Sequence, residues 1–159
     1  MLHRIKGNLR RQEKGLEVLS SLLAEEFSQL TGRHPQAVTE IEFSVHELLR
    51  QLAVERMELR ALVREMVPGA ERLRDILDGL DPEEAADLRQ TLARLDAKEQ
   101  DVAVQAEKNA HMAYALAVQG RNILEFLREK IIPENKDTYS SSGRFQNPRP
   151  QGVLLSGRL

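Results

Sequence analysis

The chain has no cysteine and no tryptophan, and aromatic residues make up only 4% of its 159 residues. Without cysteine there is no disulfide framework, no thiolate metal site and no cysteine nucleophile. With so few aromatics, a large interlocked core of the usual kind is not expected. Long apolar runs are missing too. The longest is "MAYALAV" at 112–118, well short of the roughly 20 residues that a membrane span needs. The opening "MLHRIKGNLRR" carries charges but no apolar h-region, so it does not read as a signal peptide. The net charge of −2 removes the simple electrostatic case for a nucleic-acid partner. A soluble, cytoplasmic protein without stable membrane insertion is expected.

Catalytic motifs are also missing. There is no P-loop, no G-x-G-x-x-G, no H-E-x-x-H and no Glu-x-x-His, the last being the di-iron bundle motif. His46 lies in "FSVHELLRQL" on an exposed flank of its expected helix, and Leu49-Arg50 stand where a phosphotransfer site would carry Lys-Gly. Glu42 and His46, and Glu107 and His111, are four apart, a spacing that more often makes a weak surface pair than a metal site. A non-enzyme is expected, with no catalytic residue, no metal and no cofactor.

What is present is helix-forming. Charged residues make up 30% of the chain, and Leu, Ala, Glu, Arg and Gln dominate, as in long helices. Leu2, Leu9, Leu16, Leu23 and Leu30 recur every seven residues, which is a heptad seam. Gly32 and Pro35 interrupt it, because Pro35 lacks an N–H and its ring clashes with the preceding turn. Val38, Ile41, Val45, Leu48, Leu52, Leu59, Leu62 and Met66 then resume a three–four spacing, with Glu55 at one seam position. The break leaves two arrangements open, one kinked arm over 1–67 or two antiparallel helices. Phe27, Leu30, His34, Val38 and Ile41 still share a face across it, which favours the kinked arm.

Pro68-Gly69 ends this arm, and a short helix is expected over 70–80. "DPEE" then starts a long helix over 82–132, with Asp81 as N-cap and Pro82 at the first helical position. Fifty helical residues span roughly 75 Å, and such a helix needs partners along its seam. From Pro133 the composition shifts to Pro, Gly, Ser and Arg, so 133–159 is expected to be a flexible, disordered tail. The fold class expected is all-α: an elongated antiparallel helical bundle or coiled coil of about three long helices, over 1–132.

The last long helix changes along its length. The seam flank is charged at Arg89 and Asp96, then becomes Ala103, Ala110, Ala117, Leu124 and Ile131. Met112 and Phe126 widen the other side. Such a broad apolar face buries against two neighbours rather than one. Helices of the same chain would cover it, which periodicity alone favours, or part of it is left for an amphipathic helix from a partner. The polar seam residues Glu55, Glu99 and Asn109 would set register.

Three stretches carry a resemblance. They are "LEVLSSLLAEEFSQL", "ELLRQLAVERMEL", and "GRNILEFL" followed within twenty residues by "TYSSSG". In their order and spacing they resemble the FlgN-type flagellar export chaperones, up to about residue 143. The break at Gly32–Pro35 and the long Arg/Pro-rich ending depart from that pattern. The resemblance implies a cytoplasmic chaperone of flagellar type III secretion that is not an enzyme. It would bind the C-terminal helices of hook-associated, hook–filament junction proteins, prevent their premature assembly and bring them to the export gate. Carried onto this sequence, the client-binding region covers roughly 102–143. Within it the broad face supplies Ala106, Met112, Ala113, Leu116, Ile123, Leu124 and Leu127 as client contacts. Tyr139, just beyond the helix, would dock on the export gate. The competing expectation is a homo-oligomeric coiled-coil scaffold with no exported client, and the seams also admit a homodimer.

Overall fold

The structure, a computed structural model, describes residues 1–131. All its regular elements are helical: α1 Leu2–Thr31, α2 Pro35–Met66, a short 3₁₀ helix at Leu73–Gly79, and α3 Pro82–Ile131. The expected tail over 133–159 lies outside the described residues. The chain divides into two units, Met1–Ala117 and Val118–Leu159.

In the first unit, α1 buries one stripe. Ile5, Leu9, Leu16, Leu19 and Leu23 are almost fully enclosed. The stripe meets Leu52, Leu62 and Val63 of α2, Leu73, Ile76 and Leu77 of the 3₁₀ helix, and Leu88 and Leu95 of α3. Burying each such side chain stabilises the fold by about 1.5–3 kcal/mol.

The kinked-arm expectation is corrected. Residues at the two ends of the arm lie side by side: Arg11 pairs with Glu55 at 2.8 Å and with Glu58 at 2.7 Å. Arg4 approaches Glu65 at 3.8 Å. These pairings run in opposite order along the two helices, so α1 and α2 are antiparallel. The reversal takes three residues. Arg33 adopts a left-handed φ of 58°, a conformation that breaks a right-handed helix. Pro35 then sits in the first turn of α2, where its missing N–H costs no bond. A shared apolar face across the break is common to both arrangements and could not separate them. Close approach of the helices is allowed at Gly15, where a Cβ would fall 2.7 Å from Leu52 Cδ2.

α3 runs parallel to α1. Lys6 pairs with Asp87 at 2.8 Å, Glu13 with Arg94 at 3.3 Å and Glu17 with Lys98 at 2.5 Å. The same offset of 81 residues recurs in all three pairs. α2 is therefore antiparallel to α3, and Arg56 reaches Glu99 across them at 2.6 Å. The 3₁₀ helix is tied to α3 by Arg74–Asp96 and by Asp78–Arg89 at 2.9 Å. At the start of α3 the Asp81 carboxylate accepts from the Glu83 N–H at 3.1 Å, the expected N-cap.

Among the described residues four polar side chains are buried: Asn8, Gln12, Glu26 and Asn109. Asn8 donates to the Glu55 carbonyl at 2.9 Å and to its carboxylate at 2.8 Å. Asn109 donates to the Leu23 carbonyl at 2.7 Å and to the Glu26 carboxylate at 2.6 Å. Among the described residues no buried side-chain polar atom lacks a partner. Both asparagines fix one helix against its neighbour, because sliding by a residue would strand a buried donor.

Candidate functional site

α3 is anchored over its first half and open over its second. Ala85, Leu88, Leu95 and Asn109 are its buried residues, and none from 110 to 131 is buried. In the first unit Ala103, Ala106, Ala110, Ala113 and Ala117 are exposed. The expectation that helices of the same chain cover this alanine flank is therefore corrected. Where α3 carries charge, at Glu99 and Asp96, it is tied to Arg56 and Arg74. Beyond these ties the flank offers only methyl groups, which have little surface to hold a neighbour.

The seven expected client contacts fall into different settings. Ala106 and Ala113 are exposed, while Met112 and Leu116 are half-buried. Met112 and Leu116 lie three and seven residues after Asn109, on the face that meets α1. Ile123, Leu124 and Leu127 belong to the second unit and are exposed by 51%, 62% and 43%.

The second unit is informative by itself. Ile123, Leu124, Leu127 and Ile131 lie within about 100° of one another on a helix wheel, at 100° per residue. Phe126 extends the stripe on one side, and Lys130 stands over its ring at 5.7 Å. Arg121, Glu125, Arg128 and Glu129 take the opposite face. A helix that presents such a stripe to water has apolar surface available for a partner. Sequence periodicity marked the widening at Phe126 and Ile131 but did not place them among the contacts. Their exposure, which only tertiary structure reveals, is the missing signal.

The histidines make no site. His46 Nδ1 donates to the Glu42 backbone carbonyl at 2.8 Å, within its own helix. His111 lies 3.7 Å from Glu107 on the surface. Among the described residues no group of three or more His, Asp or Glu could hold a metal ion. No helix among them is long and apolar enough to cross a membrane. Tyr139, the expected docking residue, lies outside the described residues.

A groove that periodicity did not indicate lies between α2 and α3 in the first unit. Its floor is Leu16 and Leu19 of α1, and its volume is about 570 Å³. Leu49, Ala53 and Met57 form one wall, and Val102, Ala103 and Ala106 the other. Met57 is largely exposed there and Leu49 about half exposed.

The family model described as "FlgN protein" matches residues 1–147, which takes in every described element. No curated protein and no solved structure matches the chain. Helical in every described element and matched by the family model over nearly its whole length, the chain belongs to the FlgN family of flagellar export chaperones.

Proposed function

We propose that this chaperone works in the cytoplasm, within flagellar type III secretion, and that its clients are hook-associated proteins. The observation that carries the proposal is the uncovered stripe of Ile123, Leu124 and Leu127. A client's C-terminal helix, itself amphipathic, would lay its apolar face on this stripe. The same face would then be unavailable for premature assembly. Ala106, Met112, Ala113 and Leu116 are proposed as further contacts, the alanines by letting a backbone come close. Each Leu or Ile moved from water into such a contact contributes about 1.5–3 kcal/mol when fully buried, so the stripe supplies part of the binding energy and the further contacts must offset the association costs. Tyr139 is proposed as the export-gate contact, since aromatics anchor interfaces with little conformational cost.

Co-purification tests this. The full chain and a Leu124→Asp/Leu127→Asp variant are each mixed with a hook–filament junction protein and run on size exclusion with mass measurement. A complex with the full chain, lost in the variant and lost when the client's C-terminal helices are removed, is the expected result. A chain that runs alone as a stable oligomer and takes up no client would favour the scaffold. Tyr139→Ala should leave the complex intact while secretion of the client falls.

A further inference from the structure

A second apolar surface lies within the first unit, between α2 and α3, and has a charge signature of its own. Arg56 and Arg60 line the apolar groove, and both also line its continuation toward the 3₁₀ helix. In that continuation they are joined by Arg72 and Arg74 over an apolar floor of Leu59, Val63 and Leu92. Four arginines thus line two hollows that share Arg56 and Arg60. Two are committed within the protein, Arg56 to Glu99 and Arg74 to Asp96. Arg60 and Arg72 make no ion pair among the described residues. The acids in the same stretch are Asp96, already held by Arg74, and Glu71, whose carboxylate is in no ion pair. The uncommitted charge is therefore positive by one unit.

Shape and chemistry together define the occupant. From Leu49 to Arg60 the α2 wall covers twelve residues, about 16 Å or three helical turns. The opposite wall is low at Ala103 and Ala106, beside Val102, so a helix backbone can come close there. Two helices over the floor of a third leave the fourth position of a bundle open. We propose that this cleft docks an amphipathic helix of a partner protein, with a leucine-type stripe facing Leu16 and Leu19 and carboxylates facing Arg60 and Arg72. Arginine favours carboxylate partners because its planar fork binds both oxygens. The cleft shares Ala106 with the proposed client contacts, but the proposal does not depend on the stripe at 118–131.

Binding of two labelled 18-residue helical peptides to the full chain, followed by fluorescence anisotropy at low salt, tests it. Both carry the same leucine stripe, one with glutamates along its flank and the other with lysines. The glutamate peptide should bind at least tenfold more tightly. Arg60→Glu/Arg72→Glu should reverse that preference, and Ala103→Trp, which fills the cleft from an exposed helix position, should abolish binding of both peptides. Leu124→Asp/Leu127→Asp should change nothing, which separates failure here from failure of the client reading. Equal affinity for the two peptides would overturn the proposal. So would loss of binding only in the Leu124/Leu127 variant. A wild-type dimer that Ala103→Trp converts to monomer would also overturn it, because a second copy would then occupy the cleft.

Discussion

Asn109 donates its side-chain N–H groups to the Leu23 carbonyl and the Glu26 carboxylate, and accepts from Gln105 at 2.9 Å. Both Asn109 and Glu26 are buried. Removing one partner leaves the other without its bond in a dry place, and that desolvation cost exceeds the modest net worth of the bond itself. Asn109→Leu should therefore lower stability by about 1–3 kcal/mol. Adding Glu26→Leu should recover most of the loss, since two apolar groups can then pack where an unsatisfied acid stood. Urea unfolding of the wild type, both single variants and the double variant checks this. Additive losses in the double variant would mean that the pair is not a coupled unit. The sequence marked Asn109 as a polar seam residue, and Glu26 stands in the α1 seam seven residues after Leu19, but nothing in the periodicity joins the two. They are 83 residues apart, so only the fold brings them together.

At the scale of the element, periodicity marked the helical stretches, and the Asp-Pro pair located the start of α3. It could not place one helix against another. The leucine seams of α1 and α2 are the same whether the arm kinks or reverses, and the reversal is decided by Arg33 in a left-handed conformation. The short helix expected over 70–80 is a 3₁₀ helix at Leu73–Gly79, whose three apolar residues close one end of the core cluster. Nor could periodicity tell a covered face from an open one. On a helix wheel Leu88 and Leu124 are equally apolar, yet Leu88 is 1% exposed and Leu124 62%. That difference yields an element-scale prediction. Leu124→Asp/Leu127→Asp should shift the unfolding free energy by no more than about 0.5 kcal/mol, as exposed substitutions do. The comparison is Leu88→Ala, which should cost about 2–5 kcal/mol by opening a cavity. Both are read from thermal or urea unfolding followed by circular dichroism. A large loss in the aspartate variant would show that the stripe is packed inside the protein and not open to a partner.

Across the whole molecule the net charge is only −2, yet 30% of residues are charged, so opposite charges are distributed rather than scarce. Several of these charges join helices. A hydrogen bond from Lys98 holds the Glu17 carboxylate below its ordinary value of 4.5, and one from Lys6 holds Asp87 below 3.8. Within α2, Arg50 lowers Glu47 in the same way. On the basic partner, the hydrogen bond to Asp87 raises Lys6 above 10.5. The signs set the pH window. A carboxyl group whose folded pKa is depressed binds fewer protons folded than unfolded, so its contribution is present above the ordinary value. It is lost as pH falls through the depressed folded value. The raised lysine contributes fully below 10.5 and loses its contribution only as pH climbs above that. Stability should thus be level from about pH 5 to pH 10 and fall on the acid side below about 4.5. Because the groups are exposed, each contribution is small and screened by salt. Melting temperatures measured at fixed ionic strength between pH 7 and pH 2.5 would trace the acid limb. Glu17→Gln/Asp87→Asn, which removes the acidic member of two links between α1 and α3, should flatten it and lower the plateau slightly. An acid limb unchanged in that variant would locate the pH dependence in other carboxylates. It would leave the buried seam of α1, with its Asn109–Glu26 contact, as the main tie between α1 and α3.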